Sequence, residues 1–294
     1  MDVNIKPGKY ILAVSGGVDS VSLMHLLSRC PGLTLIVAHF NHGIRPDSDV
    51  DEKLVRSQVK ALDLPFRVGY GKLGANASEE KARIARYNFL RSIKSKHQAT
   101  GIVTAHHQDD KIETALINIL RGTGRRGLSA ISNNPSIIRP LLDTPKTKII
   151  RYAQQNHLKW REDPTNASAD YLRNYLRLKV LPKLDLNQRQ RLISNIDKVA
   201  KTNEIIDHKI ATLSQQLSSN NQIRRAEFTS LPSEVSNEWL SYWLRSAGLN
   251  DFDRKTINRL SLAIKTAKSG AVQPVKRNAC LKFESNMVYL EPKR

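Results

Sequence analysis

The chain has almost no cysteine: Cys30 and Cys280 are its two, and no CxxC occurs in 294 residues. That excludes a disulfide framework, a cysteine zinc site and a thioredoxin-like pair together, and leaves two buried thiols as the expectation. No run approaches the roughly 18 consecutive apolar residues of a membrane helix, and Tyr10 to Val14 is too short for a secretory core. The chain therefore reads as cytoplasmic, with no membrane partner. Internal repeats and low-complexity tracts are missing, and 14 Gly and 12 Pro beside 40% hydrophobic residues exclude collagen-like or globally disordered chains. Acid is scarce: 27 Asp and Glu face 47 Lys and Arg, a net charge of +20.

The length exceeds the roughly 100–200 residues of one domain, so two compact units are expected. Charge is spread unevenly along them. Residues 1–50 and 201–250 are neutral, whereas 51–200 hold 28 basic against 14 acidic side chains and 251–294 hold 10 against 4. Two basic surfaces suit a long polyanion, a nucleic acid, bound in a salt-sensitive way; a generally basic surface is the competing explanation.

Short apolar runs at Tyr10 to Val14, Thr34 to Phe40, Pro65 to Val68 and Gly101 to Ala105 each precede a helical pattern. This βαβα rhythm predicts an α/β fold, a parallel sheet with helices on both faces and ligands at the carboxyl ends of its strands. Ser15 to Ser20, His39 to Arg45 and His106 to Asp110 would then share one edge. Beyond Gly127 the reading is an extended Arg139–Leu142, a helix from Thr144 to Asn156 and a turn at Asp163–Asn166. Helical stretches follow at Tyr171–Val180 and Asn187–Leu217, then a loop at Ser218–Asn221 and a buried helix segment at Trp239–Leu244. A smaller, mostly helical domain ends in a terminal β-hairpin within Ala271–Leu290. The division is expected at 183/184.

Ser15-Gly16-Gly17-Val18-Asp19-Ser20 joins a strand to a helical stretch from Val21. Glycines let backbone N–H groups approach an oxyanion, the helix N-terminus adds positive potential, and Ser15 and Ser20 add hydroxyls; a purely structural turn is the alternative. Asp19 would repel phosphate unless it holds Mg²⁺. The spacing is not GxxxxGK[ST]. In His106-His107-Gln108-Asp109-Asp110-Lys111-Ile112-Glu113-Thr114, Asp110 and Glu113 share a helix face. A metal site, a helix cap with dipole-matched acids and a pocket for an ammonium group all remain open. Arg83 and Arg86 lie on one side of the 79–90 helix, either solvated or partnering phosphate. Arg121-Gly122-Thr123-Gly124-Arg125-Arg126-Gly127 is a flexible basic loop or a clamp on RNA or nucleotide.

SGGVDS at 15–20, AHFNHGIR at 38–45, EEKARIARYNFL at 79–90, AHHQDDKIET at 105–114 and RGTGRRGL at 121–128 together resemble the bacterial tRNA(Ile)-lysidine synthetases of the PP-loop ATP pyrophosphatase superfamily. RPLL at 139–142, Trp160–Asn166 and Arg173–Arg177 before Leu181-Pro182 continue the likeness, which is close over 10–183 and loose over 184–294. Thiolating relatives use paired cysteines, which this chain lacks. The resemblance implies a Rossmann-like PP-loop catalytic domain at 1–183 and a tRNA-binding domain at 184–294, in the shorter form without an extra C-terminal domain.

It implies a ligase that uses ATP and Mg²⁺ to join L-lysine to carbon 2 of the wobble cytidine in the CAU anticodon of tRNA(Ile), through an adenylated base, so that AUA is read instead of AUG. Ser15, Gly16, Gly17, Val18, Asp19 and Ser20 would hold ATP, with Asp19 also on Mg²⁺ and Arg86 neutralising the phosphates. Asp110 and Glu113 would hold lysine, and His106 either joins them or is a structural hydrogen-bonding residue. tRNA contacts fall to Arg121, Arg125, Arg126, Arg173, Arg177, Lys276 and Arg277. A carboxylate or a water would take the amine proton, and a homodimer stays open. Lys111, where many relatives carry Gln, should point away from the ammonium pocket. Two other classes compete: a PP-loop ligase acting on a small acid or purine, and an RNA-binding protein with a dead loop.

Overall fold

A computed structural model describes every residue except 2, 44–47, 72–73, 75–77, 130, 132–135, 163–170, 220, 250–251, 277 and 293–294. The expected turn at Asp163–Asn166, and Arg45 and Arg277, lie outside the described residues. The chain divides into two compact units, Met1–Ala200 and Lys201–Arg294.

The first unit alternates strand and helix: β1 (Gly8–Ala13), α1 (Val18–Leu27), β2 (Leu33–Asn41), α2 (Ser48–Ala61), β3 (Phe66–Tyr70), α3 (Glu79–Lys96), β4 (Gly101–Val103), α4 (Gln108–Leu120), α5 (Arg125–Leu128), β5 (Ile137–Ile138), α6 (Lys146–Gln155) and α7 (Leu172–Tyr175). The five strands are parallel, in the order β3-β2-β1-β4-β5. Period-two alternation sends the two faces of β1 into different cores. Tyr10 and Leu12 pack with Leu23, Met24 and Leu27 of α1 and Ile149 of α6. Ile11 packs with Tyr87, Leu90 and Ile93 of α3. Each such aliphatic side chain contributes about 1.5–3 kcal/mol by leaving water, and a sheet apolar on both faces is the kind that runs parallel. Ser78 starts α3 by accepting from Lys81 N–H at 3.3 Å, a cap worth about 1 kcal/mol.

Arg139–Leu142 is not extended. The strand is Ile137–Ile138, and the chain then turns, Leu142 N–H donating to the Arg139 carbonyl and Thr144 N–H to that of Leu141. Pro140 has no N–H to give a ladder there. Tyr171–Val180 is helical in two pieces: α7 is continued by a π-helical turn at Leu176–Val180 and a 3₁₀ turn at Leu181–Lys183. α8 (Leu186–Leu217) begins in the first unit, where Leu192, Ile193 and Ile196 pack with Ile112 and Ala115 of α4. Cys30 is half-buried rather than buried, and Cys280 is buried.

In the second unit, β6 (Ser218–Ser219), β7 (Gln222–Arg224), α9 (Arg225–Ser230), α10 (Ser233–Ser246), α11 (Arg254–Thr266), β8 (Val272–Lys276), β9 (Ala279–Phe283) and β10 (Met287–Pro292) follow the end of α8. The terminal hairpin is β9–β10, set inside an antiparallel sheet ordered β6-β7-β10-β9-β8. The serines expected in a loop pair with β7 instead. Trp239, Leu240, Trp243 and Leu244 of α10 are buried with Phe228, Leu260, Phe283 and Val288. Arg225 donates to the carbonyls of Ile264 at 2.7 Å and Ala267 at 2.5 Å, satisfying the end of α11 with a cation where the helix dipole favours one.

Candidate active site

Strand order reverses at β1, with β2 and β3 on one side and β4 and β5 on the other, and in such sheets the crevice at the reversal takes the ligand. A cavity of about 440 Å³ lies there, walled by Ser15, Asp19, His39, Arg86, His106 and Asp110 among others. The three expected segments do meet at one edge.

The two glycines of the loop differ. Gly16 has φ +99°, which a side chain would strain, whereas Gly17 precedes α1 in ordinary extended backbone, φ −74°. Ser20 holds the turn closed: its hydroxyl donates to Gly17 O at 3.0 Å and accepts from Ser15 N–H at 3.1 Å and Gly16 N–H at 3.3 Å. Those two N–H groups are thus spent inside the loop. The donors left for an anion are those of the first turn of α1, since helical bonding begins only at Val21 N–H to Gly17 O and Gly17 offers no side-chain cap. Helix α1 therefore begins at Val18, three residues before the sequence pattern becomes helical.

Asp19, in that first turn, is clasped by Lys146, whose Nζ lies 2.6 Å from both carboxylate oxygens. His107 stands close by, its Nε2 3.6 Å from Asp19 and 3.5 Å from Asp110. His107 Nδ1 accepts from Asp109 N–H at 3.2 Å, which puts the ring proton on Nε2, toward the two acids. Asp110 accepts from His107 N–H at 2.9 Å, so the helix-cap explanation of this segment holds as far as it goes. Burial works to raise Asp110, but His107, His106, that backbone N–H and Arg177 together hold it below the usual carboxylate range.

Glu113 is fully buried and does not line the cavity. Arg177 grips it with Nε at 2.8 Å and Nη2 at 2.9 Å and reaches Asp110 at 3.2 Å, while Arg173 Nε is 3.7 Å from Glu113. Burial outweighs these cations and pushes the Glu113 carboxyl up. Thus Arg173 and Arg177, read from the sequence as RNA contacts, face the acid pair. Lys111 is turned away from that pair, buried between Asp143 at 2.9 Å and Asp197 at 2.5 Å.

His106 Nδ1 shares a proton with Thr104 Oγ1 at 2.8 Å. Burial, with Arg139, Arg86 and Arg83 nearby, lowers it to about 4 against the pull of Asp110, so it is neutral at pH 7. Arg86 sits over the Tyr87 ring at 5.3 Å, beside Arg83 at 5.6 Å and Arg91 at 5.8 Å. Its Nε is buried with no hydrogen-bond partner among the described residues. A buried donor left over in a cavity wall is a place for an anion.

Arg121 is exposed, while Arg125 and Arg126 are half-buried in α5. That segment is no loose loop. Asn118 donates to the Gly127 carbonyl at 2.6 Å, and a Cβ on Gly127 would run into the Thr123 side chain. Lys276 is half-buried in β8. Lys146 and His107 were not singled out in the sequence. The one local sign of Lys146 is a lysine opening a helix that has no acid in its first turn.

A PP-loop domain model matches residues 2–184. The chain is 35% identical over 218 residues to a tRNA(Ile)-lysidine synthase of Chlorobaculum tepidum, covering 69% of this chain and 66% of that protein. It is 36% identical over 212 residues to the tRNA(Ile)-lysidine synthase of Clostridium tetani, covering 68% and 45%. The matched stretch thus spans less than two thirds of these curated relatives' own length. Among solved structures, the U34-tRNA thiolase NcsA of Methanococcus maripaludis, with its 4Fe–4S cluster, superposes with a TM-score of 0.56 at 16% identity over 67% of this chain and 74% of its own, a likeness of fold. Since the domain model alone accounts for more than half of the residues, the chain belongs to the PP-loop domain family.

Proposed function

We propose that the protein ligates lysine to carbon 2 of the wobble cytidine of tRNA(Ile) bearing a CAU anticodon, in two ATP-dependent steps. The observation that carries this reading is one cavity walled by the open N-terminus of α1, by Arg86 and by Asp110. That is a polyanion site and a cation site within one reaction volume. The names of the similar proteins supply the substrates.

In the first step the cytidine carbonyl oxygen attacks the α-phosphate of ATP and pyrophosphate leaves. The α1 N-terminus and the unpartnered Arg86 Nε meet the charge on the phosphates, and Ser20 keeps the loop in shape. Among the described residues no three His, Cys, Asp or Glu side chains gather as a ready-made metal site. One carboxylate beside phosphate-binding backbone fits Mg²⁺, which binds through one or two carboxylates plus substrate phosphates, and Asp19 is that carboxylate. When bound, the ion would supply charge neutralisation at the phosphates.

In the second step the ε-amine of lysine attacks carbon 2, AMP leaves with the oxygen, and the amine loses its proton. Asp110 and Glu113 hold lysine in this reading, and the amino acid must share or displace the Arg177 guanidinium that bridges them. Asp110, kept below the carboxylate range, contributes charge and is a poor base, which leaves the proton to Glu113, raised by burial, or to a water. Residues 1–183 would be the catalytic domain and 184–294 would place the tRNA, with Arg121, Arg125, Arg126 and Lys276 as backbone contacts. No described helix is long and apolar enough to cross a membrane; tRNA modification belongs in the cytoplasm.

The test is incubation with ATP, Mg²⁺, labelled lysine and unmodified tRNA(Ile). Label is expected in RNA, together with AMP and pyrophosphate. Asp110→Asn should accumulate adenylated tRNA. ATP turnover without tRNA would assign a small-substrate ligase, and tRNA binding without ATP turnover a dead loop.

A further inference from the structure

Lys146 stands in an electrostatically adverse place. It is the first residue of α6, preceded by Pro145, with no side-chain cap and no acid in the first turn. The positive end of a helix dipole disfavours a cation there by about 0.3–1 kcal/mol. Its Nζ nevertheless reaches both oxygens of Asp19, which lies in the first turn of α1. Ile149 and Tyr152 of α6 pack on Leu23, Met24 and Leu27 of α1, so this meeting is built into the core. The N-terminal turn of α1 and an ammonium carried by the first residue of α6 therefore meet at a single carboxylate, with His107 Nε2 3.6 Å away. Asp19 is itself in the wall of the cavity that presents Arg86, so the ammonium it holds stands just behind that wall. Nor is the contact sealed: the Lys146 side chain is 31% and Asp19 26% exposed, so the pair can part and be solvated.

We propose that Lys146 is a catalytic residue of the nucleotide step: it holds Asp19 in the empty site and moves onto the departing pyrophosphate when the Mg²⁺-bound triphosphate arrives. This rests on the reading of the cavity as an ATP site. As the base oxygen bonds to the α-phosphorus, the bond from that phosphorus to the bridging oxygen breaks and its electron pair stays on pyrophosphate. The Lys146 ammonium meets that charge, and Asp19, released, is available to the metal ion. Charge is thus exchanged rather than exposed: the carboxylate passes from ammonium to metal as the ammonium passes from carboxylate to phosphate.

The experiment compares wild type, Lys146→Met and Lys148→Met by calorimetric titration with Mg²⁺–ATP, Mg²⁺–pyrophosphate and AMP. Lys148 is exposed two residues along the same helix end and serves as the control for diffuse charge. Lys146→Met is expected to weaken ATP and pyrophosphate by about 10- to 100-fold, the loss of one charge-assisted contact, and to leave AMP unchanged within about twofold. It should also bind Mn²⁺ alone more tightly, because the competitor for Asp19 is gone. Equal weakening of all three ligands, or an equal effect of Lys148→Met, would overturn the proposal. So would wild-type pyrophosphate affinity in a folded Lys146→Met. Should that variant fold poorly, Lys146→Arg, which keeps the charge, decides by retaining pyrophosphate binding or losing it. If wild type itself binds no Mg²⁺–ATP, the functional reading fails instead.

Discussion

Asp19 and Glu113 each meet a basic side chain from far along the chain, and the two meetings are built in opposite ways. Asp19 is 26% exposed and pairs with a flexible ammonium, whereas Glu113 is 0% exposed and is gripped by the planar fork of Arg177. Water can replace either partner of the first pair. It cannot reach Glu113, so removing Arg177 leaves a buried carboxylate with only the more distant Arg173, 3.7 Å away, to answer it. The same charge pattern is thus open to solvent at Asp19 and, at Glu113, a dry clamp that an incoming lysine would have to share or displace.

The sharpest break of this contrast is Asp19→Ala. It should lower adenylation by about 10³-fold or more while changing folding stability by less than about 1 kcal/mol, as a partly solvated pair should. Pyrophosphate release and urea denaturation on the same preparation read both quantities, and wild-type adenylation would sink the assignment. Arg177→Met reverses the balance. It should cost about 2–4 kcal/mol in urea denaturation, short of the full penalty for a buried pair because a third of the arginine side chain is in water. A variant as stable as wild type would show that Glu113 does not need its clamp.

The smallest effect concerns the side of this divide on which His106 falls. Its proton affinity is lowered to about 4, so the stability it lends is complete above the unfolded value of 6.5 and is lost as pH falls toward 4. Wild type should thus lose about 2 kcal/mol more than His106→Gln between pH 7 and pH 4.5. Parallel curves would mean that His106 is not held neutral.

Much of the fold was legible because it is local. The apolar run Tyr10–Val14 with a glycine turn after it identifies β1, its loop and α1. Both acids of the 106–114 segment were visible from their three-residue spacing. What could not be read was which cation answers which acid. Arg173 and Arg177, four apart, look like one solvated helix face, and only the packing of α7 and the π-helical turn against α4 turns them onto Glu113 and Asp110. That turn runs up to Pro182, whose ring clashes with a carbonyl four residues back and so disfavours a regular α-helix there. Lys146 was hidden for a related reason, since nothing near residue 146 reveals that it meets a loop encoded at residues 15–20.

The clasp of Lys146 on Asp19 spans 127 residues, and Arg161 N–H reaches back to the Gly16 carbonyl across a still longer interval. At translation rates of about 5–20 residues per second, the loop waits roughly 6–25 s for Lys146 to be synthesised. During that interval a nascent chain carries the whole hexapeptide, with its own Ser20 to close the turn, but not the ammonium that clasps Asp19. The Asp19–Lys146 pair therefore cannot form until most of the first unit has been synthesised.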